Sequence, residues 1–266
     1  MTKFEKFLRN INLSENTISV YVFTLALYNS KFKTINKDNL LSFKGALIEK
    51  NKPKTVNLRI QAINKYLDFI GKSELRLSAV KIQQKSFLEN VITDADYSFF
   101  KRSLKKDKNY FWYFVVRFLA ATGARVSELI QIKVEHVERG HLDLYSKGGK
   151  TRRIYIPKKL QEEAMVWLTN CNKDSGYLFV NNKNKRITTR GIAIQLKKLA
   201  IKYGIKPEVV YPHSFRHRFA KNFIEKYNDI SLLADLMGHD SIETTRIYLR
   251  RTSTEQRMIV DKVITW

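Results

Sequence analysis

Leu236-Met237-Gly238-His239-Asp240-Ser241-Ile242-Glu243-Thr244-Thr245-Arg246-Ile247-Tyr248 is a stretch with its own punctuation. Gly238 follows apolar residues and suits a helix end, because glycine accepts the left-handed backbone found there. Asp240 or Ser241 can cap a second helix, and Asp240 with Glu243 has capping-box spacing. His239 falls between the two helices, and Tyr248 lies two turns further on. A lone tyrosine so placed belongs, by itself, to a core. Its neighbours upstream change that reading.

Pro212-His213-Ser214-Phe215-Arg216-His217-Arg218-Phe219-Ala220 is the first of them. Proline suits the opening turn of a helix. Residues three apart share a helix face, so His213 and Arg216 arrive together. His217 flanks that face as a substitute imidazole and Arg218 points elsewhere; packing or surface is the plainer reading of both. Further back, Leu142, Leu144, Ile154 and Ile156 alternate with polar residues around Ser146-Lys147-Gly148-Gly149-Lys150, a hairpin with a glycine turn. A lysine on such a turn can enter a groove and donate a proton. Furthest back, Ala121-Thr122-Gly123-Ala124-Arg125-Val126-Ser127-Glu128-Leu129 puts Arg125 just after a helix-ending glycine. Its planar guanidinium matches two phosphate oxygens.

Around these islands the pattern is mainly helical, with that one hairpin as a small β-sheet. The expected helices begin at Thr2, with Glu5 at capping-box spacing, and at Ser14 or Asn16, running through Tyr28. Further ones cover Asn39 to Glu49 and Pro53 to Gly71. These predict a helical N-terminal domain over 1–85. Leu75 to Asn90 loses its periodicity and is read as a linker. An α+β domain follows over 92–266. Thr93 or Asp94 starts a helix, and Tyr110 to Ala121 is a buried one. Lys158 to Thr169, Thr188 to Tyr203 and a helix after Pro212 complete the domain. The tail carries apolar Met258, Ile259, Val260, Val263, Ile264 and Trp266, which fits docking on a second copy or folding back on its own domain.

Of 266 residues, 44% are apolar, as in a packed globular chain. Lys and Arg number 49 against 25 Asp and Glu, a net charge of +24, which suits a polyanion such as nucleic acid. Both parts share it: 16 cations against 6 acids up to Lys85, then 33 against 19. One cysteine, Cys171, allows no internal disulfide and no cysteine-rich zinc site, and fits a reducing cytoplasm. The Tyr110 to Ala121 run is interrupted by Arg117 and too short for a bilayer, so no membrane is expected. No carboxylate cluster suggests a metal.

As a set, the islands resemble the tyrosine recombinase (phage integrase) family, with Xer-like wording in Leu-Met-Gly-His. That family orders Arg, Lys, His-x-x-Arg, His or Trp, and Tyr along its chain. The matching positions here are Arg125, Lys147 (with Lys150 as the alternative), His213, Arg216, His239 and Tyr248. Leu13 to Tyr21 and Lys54 to Arg59 resemble the family's helical core-binding domain. Ser214-Phe215 and the Gly148-Gly149 turn depart from the usual wording.

The resemblance implies a site-specific recombinase that cuts and rejoins double-stranded DNA without a cofactor. Tyr248 would attack a phosphate and form a 3′-phosphotyrosine link. Arg125 and Arg216 would hold the non-bridging oxygens, His213 and His239 would add hydrogen bonds and help to move the tyrosine proton, and Lys147 would protonate the leaving 5′ oxygen. Four copies acting on two DNA sites are implied, together with an activating protein partner in some members. Lys54, Asn57 and Arg59, and Arg186, Thr188, Thr189 and Arg190, are the candidate DNA contacts, for phosphate before base. A type IB topoisomerase-like enzyme and a non-catalytic DNA-binding protein are the rival readings.

Overall fold

The computed structural model describes residues 2–82, 90–145, 151–239, 241–249, 257 and 260–264. Its contacts divide the chain into two compact units, Met1–Gln84 and Lys85–Trp266.

The first unit holds α1 (Lys3–Asn10), α2 (Glu15–Asn29), α3 (Lys37–Lys50) and α4 (Pro53–Phe69). Each start has a local cause. Thr2 and Glu5 form the expected capping box, Ser14 rather than Asn16 caps α2, Asn36 caps α3, and Pro53 opens α4. Gly71, with φ of 72°, ends the last helix. Tyr28, Leu40, Phe43, Val56, Ile60 and Leu67 form one core, and Phe4, Leu8 and Ile18 a smaller one.

The linker expectation fails in its first half. Leu77 and Val80 are fastened along α4 by two asparagine side chains two turns apart. Asn64 donates to the Leu77 carbonyl at 2.9 Å and accepts its N–H at 2.8 Å. Asn57 does the same with Val80, at 3.0 and 2.8 Å. Side-chain amides thus stand in for the missing backbone partners of an extended segment. Apolar periodicity does not register such a segment, which is why the sequence reads it as loose.

The second unit comprises α5 (Asp94–Lys106), α6 (Tyr110–Thr122), α7 (Val126–Leu129), α8 (Val134–Arg139), β1 (His141–Tyr145), β2 (Thr151–Tyr155), α9 (Lys158–Asn170), α10 (Thr189–Lys202), α11 (Pro212–Lys226), α12 (Ile230–Met237) and α13 (Ile242–Thr245). A 3₁₀ turn, Arg246–Leu249, follows. The architecture is mainly α with one antiparallel pair, in register Leu142↔Ile154 and Leu144↔Arg152. The hairpin turn at 146–150 lies outside the described residues.

Helix α6 is the central beam: Phe114, Val115, Val116, Phe118 and Leu119 are all buried. It ends at Gly123, in the left-handed region at φ 61°. A Cβ there would lie 2.5 Å from the ring of Phe219, so only glycine lets α11 lie this close to the end of α6. Ser214 and Phe215, the unusual pair, are both buried. The Ser214 hydroxyl accepts the Ile92 N–H at 2.8 Å and ties α11 to the start of the unit. Arg218 turns away, as expected, to Asp94 at 2.7 Å, with its guanidinium over the Tyr97 ring.

Candidate active site

The end of α12 organises the site. A helix leaves its last carbonyls without partners. Here three successive ones each receive an arginine from a different element. Arg152 of β2 donates to the Leu236 carbonyl through Nε and Nη2, at 3.0 and 2.7 Å. Arg216 of α11 donates to the Met237 carbonyl at 2.5 Å. Arg125, between α6 and α7, donates to the Gly238 carbonyl at 2.8 Å. The C-terminal end of a helix carries partial negative charge, so it draws the three cations together. Gly238 makes the turn possible: its φ is 60°, and a Cβ would overlap the Arg152 side chain.

Glu128 steadies the cluster from the other side. Its carboxylate accepts the Arg125 N–H at 2.7 Å, Arg125 Nη1 at 2.8 Å and Arg152 Nη1 at 2.6 Å. Burial opposes its charge, but the nearby arginines prevail and hold it below the usual carboxylate range. Arg216 is the most buried of the three cations, at 3% exposure, and also donates to the Gly123 carbonyl at 2.6 Å. Burial, with Arg125 and Arg152 alongside, brings it down to about 10, still charged at neutral pH.

Arg216 Nη2 lies 3.1 Å from His239 Nε2, and His239 Nδ1 lies 2.7 Å from the Thr245 hydroxyl. A guanidinium can only donate, so Nε2 accepts and Nδ1 carries the proton toward Thr245. Burial and then Arg216 push His239 down to about 4, so it is neutral at pH 7.

Tyr248 sits on the 3₁₀ turn, because α13 stops at Thr245 and does not continue through the tyrosine as a regular helix. It is 9% exposed, and its ring packs with Ala220, Ile224, Leu233 and Met237. Its hydroxyl lies 2.8 Å from Nδ1 of His217. Burial pushes the phenol up to about 12. Burial, then His213 and Arg216, push His217 down to about 4. His213 is exposed at the start of α11, with its ring 6.3 Å from that of His217.

Of the six matched positions, Arg125, Arg216 and His239 meet on the α12 turn, and Tyr248 reaches that group beside His217. Lys147 and Lys150 lie outside the described residues. Two participants are not singled out by the sequence, Glu128 and Arg152. Glu128 stands three residues after Arg125, which is capping-box spacing and a usable signal; Arg152 carries no local signal. His217, which the sequence offers as a substitute imidazole with packing or surface as the plainer reading, lies at the Tyr248 hydroxyl.

The DNA-contact candidates are dispersed. Lys54, Arg186, Thr188 and Arg190 are exposed. Asn57 is committed to Val80. Arg59 bonds Thr24 at 2.7 Å and stacks on Phe23. Arg186 lies over the Tyr177 ring at 5.3 Å, and Thr188 caps α10, which begins at Thr189. Among the described residues no group of three or more His, Cys, Asp or Glu could hold a metal ion, and no helix is long and apolar enough to cross a membrane.

Comparison with known proteins matches residues 91–255 to the model of the phage integrase family. Tyrosine recombinase XerA of Pyrococcus furiosus is 32% identical over 98% of this chain and 93% of its own. Among solved structures, the Tn1549 transposon integrase in complex with transposon right end DNA superposes with TM-score 0.75. It is 16% identical and covers 98% of both chains. XerH site-specific recombinase bound to difH substrate gives 0.73 at 21% identity, over 94% of this chain and 80% of that one.

Proposed function

The chain belongs to the phage integrase family, and we propose that it is a site-specific DNA recombinase with Tyr248 as its nucleophile. One observation carries the assignment of residues. The buried phenol of Tyr248 adjoins the turn on which Arg125 and Arg216 are held, so that one phosphate could face both kinds of group.

The chemistry follows from the side chains. Arg125 and Arg216 hold the non-bridging oxygens of the scissile phosphate and stabilise the charge that grows as it becomes five-coordinate. Both guanidinium groups are held by backbone carbonyls, Arg125 by Gly238 and Arg216 by Gly123 and Met237, and donors fixed in this way need little reorganisation at the moment of reaction. Neutral His239, bonded to Arg216, orients that guanidinium, and His213 supplies a further hydrogen bond. Tyr248 oxygen attacks phosphorus, the bond to the 5′ oxygen breaks, and Lys147 protonates the leaving oxygen. The phosphodiester energy is retained in the 3′-phosphotyrosine, so religation to another strand needs no nucleotide cofactor.

In this reading the unit over 1–85 grips DNA and the unit over 92–266 cuts it, as four protomers on two sites. Tail residues Val260, Val263 and Ile264, all exposed, are available for contacts between protomers. A cytoplasmic setting fits the lone cysteine. The topoisomerase-like alternative is not favoured, because a recombinase is similar to this chain along nearly its whole length.

The test is an SDS-resistant protein–DNA adduct on nicked suicide duplexes, in EDTA, for the wild type and Tyr248→Phe. Adducts on particular fragments, lost in the variant, support the proposal. Adducts on every duplex alike would favour topoisomerase chemistry. None on any fragment, despite tight binding, would favour a non-catalytic binding protein.

A further inference from the structure

The imidazole that touches the nucleophile is not either of the two that the family's order singles out. It is His217, one residue after Arg216, with Nδ1 2.8 Å from the Tyr248 hydroxyl. The two rings lie 5.8 Å apart and are tilted by 49°. Nδ1 of His239 faces Thr245 and its Nε2 faces Arg216, so both of its nitrogens are engaged away from the phenol. His213 is exposed at the first turn of α11.

We infer that His217 is a catalytic residue, the base that takes the Tyr248 proton during cleavage and returns it on religation. This rests on the recombinase reading above. The balance is simple. The Tyr248 O–H bond breaks and its proton passes to Nδ1 of His217. The phenolic oxygen forms its bond to phosphorus, and the bond from phosphorus to the 5′ oxygen breaks. The leaving oxygen receives a separate proton from Lys147. Religation runs each transfer backwards.

The surroundings bear on the transfer. The phenol is pushed up to about 12 and the imidazole down to about 4, which keeps the proton on oxygen. Part of the pressure on His217 comes from the positive charge of Arg216. A phosphate dianion-like transition state held by Arg216 offsets that charge and favours an imidazolium beside it. The nucleophile is therefore activated by the substrate that it attacks. The phenol ring is already seated against Ile224, Leu233 and Met237, which keeps the hydroxyl at the imidazole.

The test uses the duplex on which the wild type forms its Tyr248 adduct, and the same duplex with sulfur replacing the bridging 5′ oxygen, whose leaving group needs no proton. Adduct formation is timed under single turnover for the wild type, His217→Gln, His217→Asn and Lys147→Ala, with DNA affinity and thermal unfolding measured in parallel. Glutamine and asparagine keep a hydrogen-bond acceptor but cannot carry the proton. Both should cut the rate by about 100-fold or more on either duplex, at unchanged DNA affinity. Lys147→Ala should be slow on the oxygen duplex and recover on the sulfur one. Wild-type rates for either His217 variant would overturn the inference, since an acceptor alone would then suffice. Recovery of both variants on the sulfur duplex would overturn it too, by moving His217 to the leaving-group side. A wild type without any Tyr248-dependent adduct would remove the recombinase reading itself.

Discussion

Arg152 reaches from β2 to set its Nη1 2.6 Å from Oε1 of Glu128, the same oxygen that accepts from Arg125. Both side chains of this pair are about nine-tenths buried. A buried ion pair is a poor argument for stability as such, but removing one partner strands the other. Arg152→Ala leaves Glu128 with less compensation and the Leu236 carbonyl with no donor. The expected cost is about 3 kcal/mol in unfolding free energy, from urea titration. Because Arg152 also holds the α12 turn, adduct formation should fall at saturating DNA, and Arg152→Lys should recover only part of it, since lysine cannot make the forked contact. Full activity in Arg152→Ala would show that the turn holds its shape without it.

Gly123→Ala tests the close approach of α6 and α11. Alanine at φ 61° is strained, and its Cβ would meet the Phe219 ring at 2.5 Å. Gly204 has φ 68° with open space around it, so Gly204→Ala carries the backbone strain alone. Each should lose at least about 1 kcal/mol, with Gly123→Ala losing more. The comparison of their thermal midpoints separates the two contributions. Equal losses would mean that Phe219 moves aside freely.

Asn57→Ala separates two roles for one residue. The sequence suggests a DNA contact, whereas the fold uses both ends of the carboxamide on Val80. Two lost hydrogen bonds predict about 1–2 kcal/mol of stability in the first unit. Lys54, exposed one turn earlier, should leave stability alone and lower DNA affinity when changed to alanine. An Asn57→Ala protein of unchanged midpoint and weakened DNA binding would reverse the assignment.

The site was legible where chemistry demands a residue type at a set spacing. Arg125 after a glycine, Arg216 in the first turns of α11 and His239 before a cap are local patterns that folding brings to the α12 turn, whereas His213, placed with Arg216 by its spacing, is exposed. The partners of these residues were not legible in the same way. Arg152 stands 84 residues before Leu236, and a strand arginine has no local mark that says it will cross to another helix's last carbonyl. His217 is in contact with Tyr248 because α12 and the 3₁₀ turn fold back on α11, a tertiary event that a helical wheel for α11 alone does not contain. The loss of regular helix before Tyr248 is of the same kind. Of the two caps that the sequence offers, Ser241 is the one seen and Asp240 lies outside the described residues, yet α13 runs for only four residues before it tightens.

Two half-buried imidazoles give the protein an acid limit. Histidine titrates near 6.5 when unperturbed, whereas His217 and His239 are both pushed down to about 4. Between those values the unfolded chain binds protons that the folded chain refuses, so falling pH favours unfolding. Their contribution is fully present above about pH 6.5 and is lost as pH falls through about 4. The groups facing them are Arg216, Arg125, Arg152, His213 and Tyr248. Thermal midpoints measured from pH 7.5 to 4 should fall through this window. His217→Gln removes one proton site, so its curve should be flatter. Parallel curves would mean that His217 is not held neutral by the fold.

Charge sets the last expectation. An excess of +24 spread over both parts of the chain can neutralise many phosphates, and each one neutralised releases counterions. Binding constants should then fall steeply with salt, by about 10³-fold or more between 50 and 200 mM if six or more phosphates are engaged. Fluorescence anisotropy on a duplex gives the slope of log K against log salt. Lys54→Ala and Arg190→Ala should each make that slope shallower by about one, and should do so on specific and unrelated duplexes alike, as phosphate contacts would. A change confined to one sequence would instead make either residue a reader of bases. A nearly flat slope in the wild type would mean that the basic surface is a feature of composition and that recognition rests on uncharged contacts.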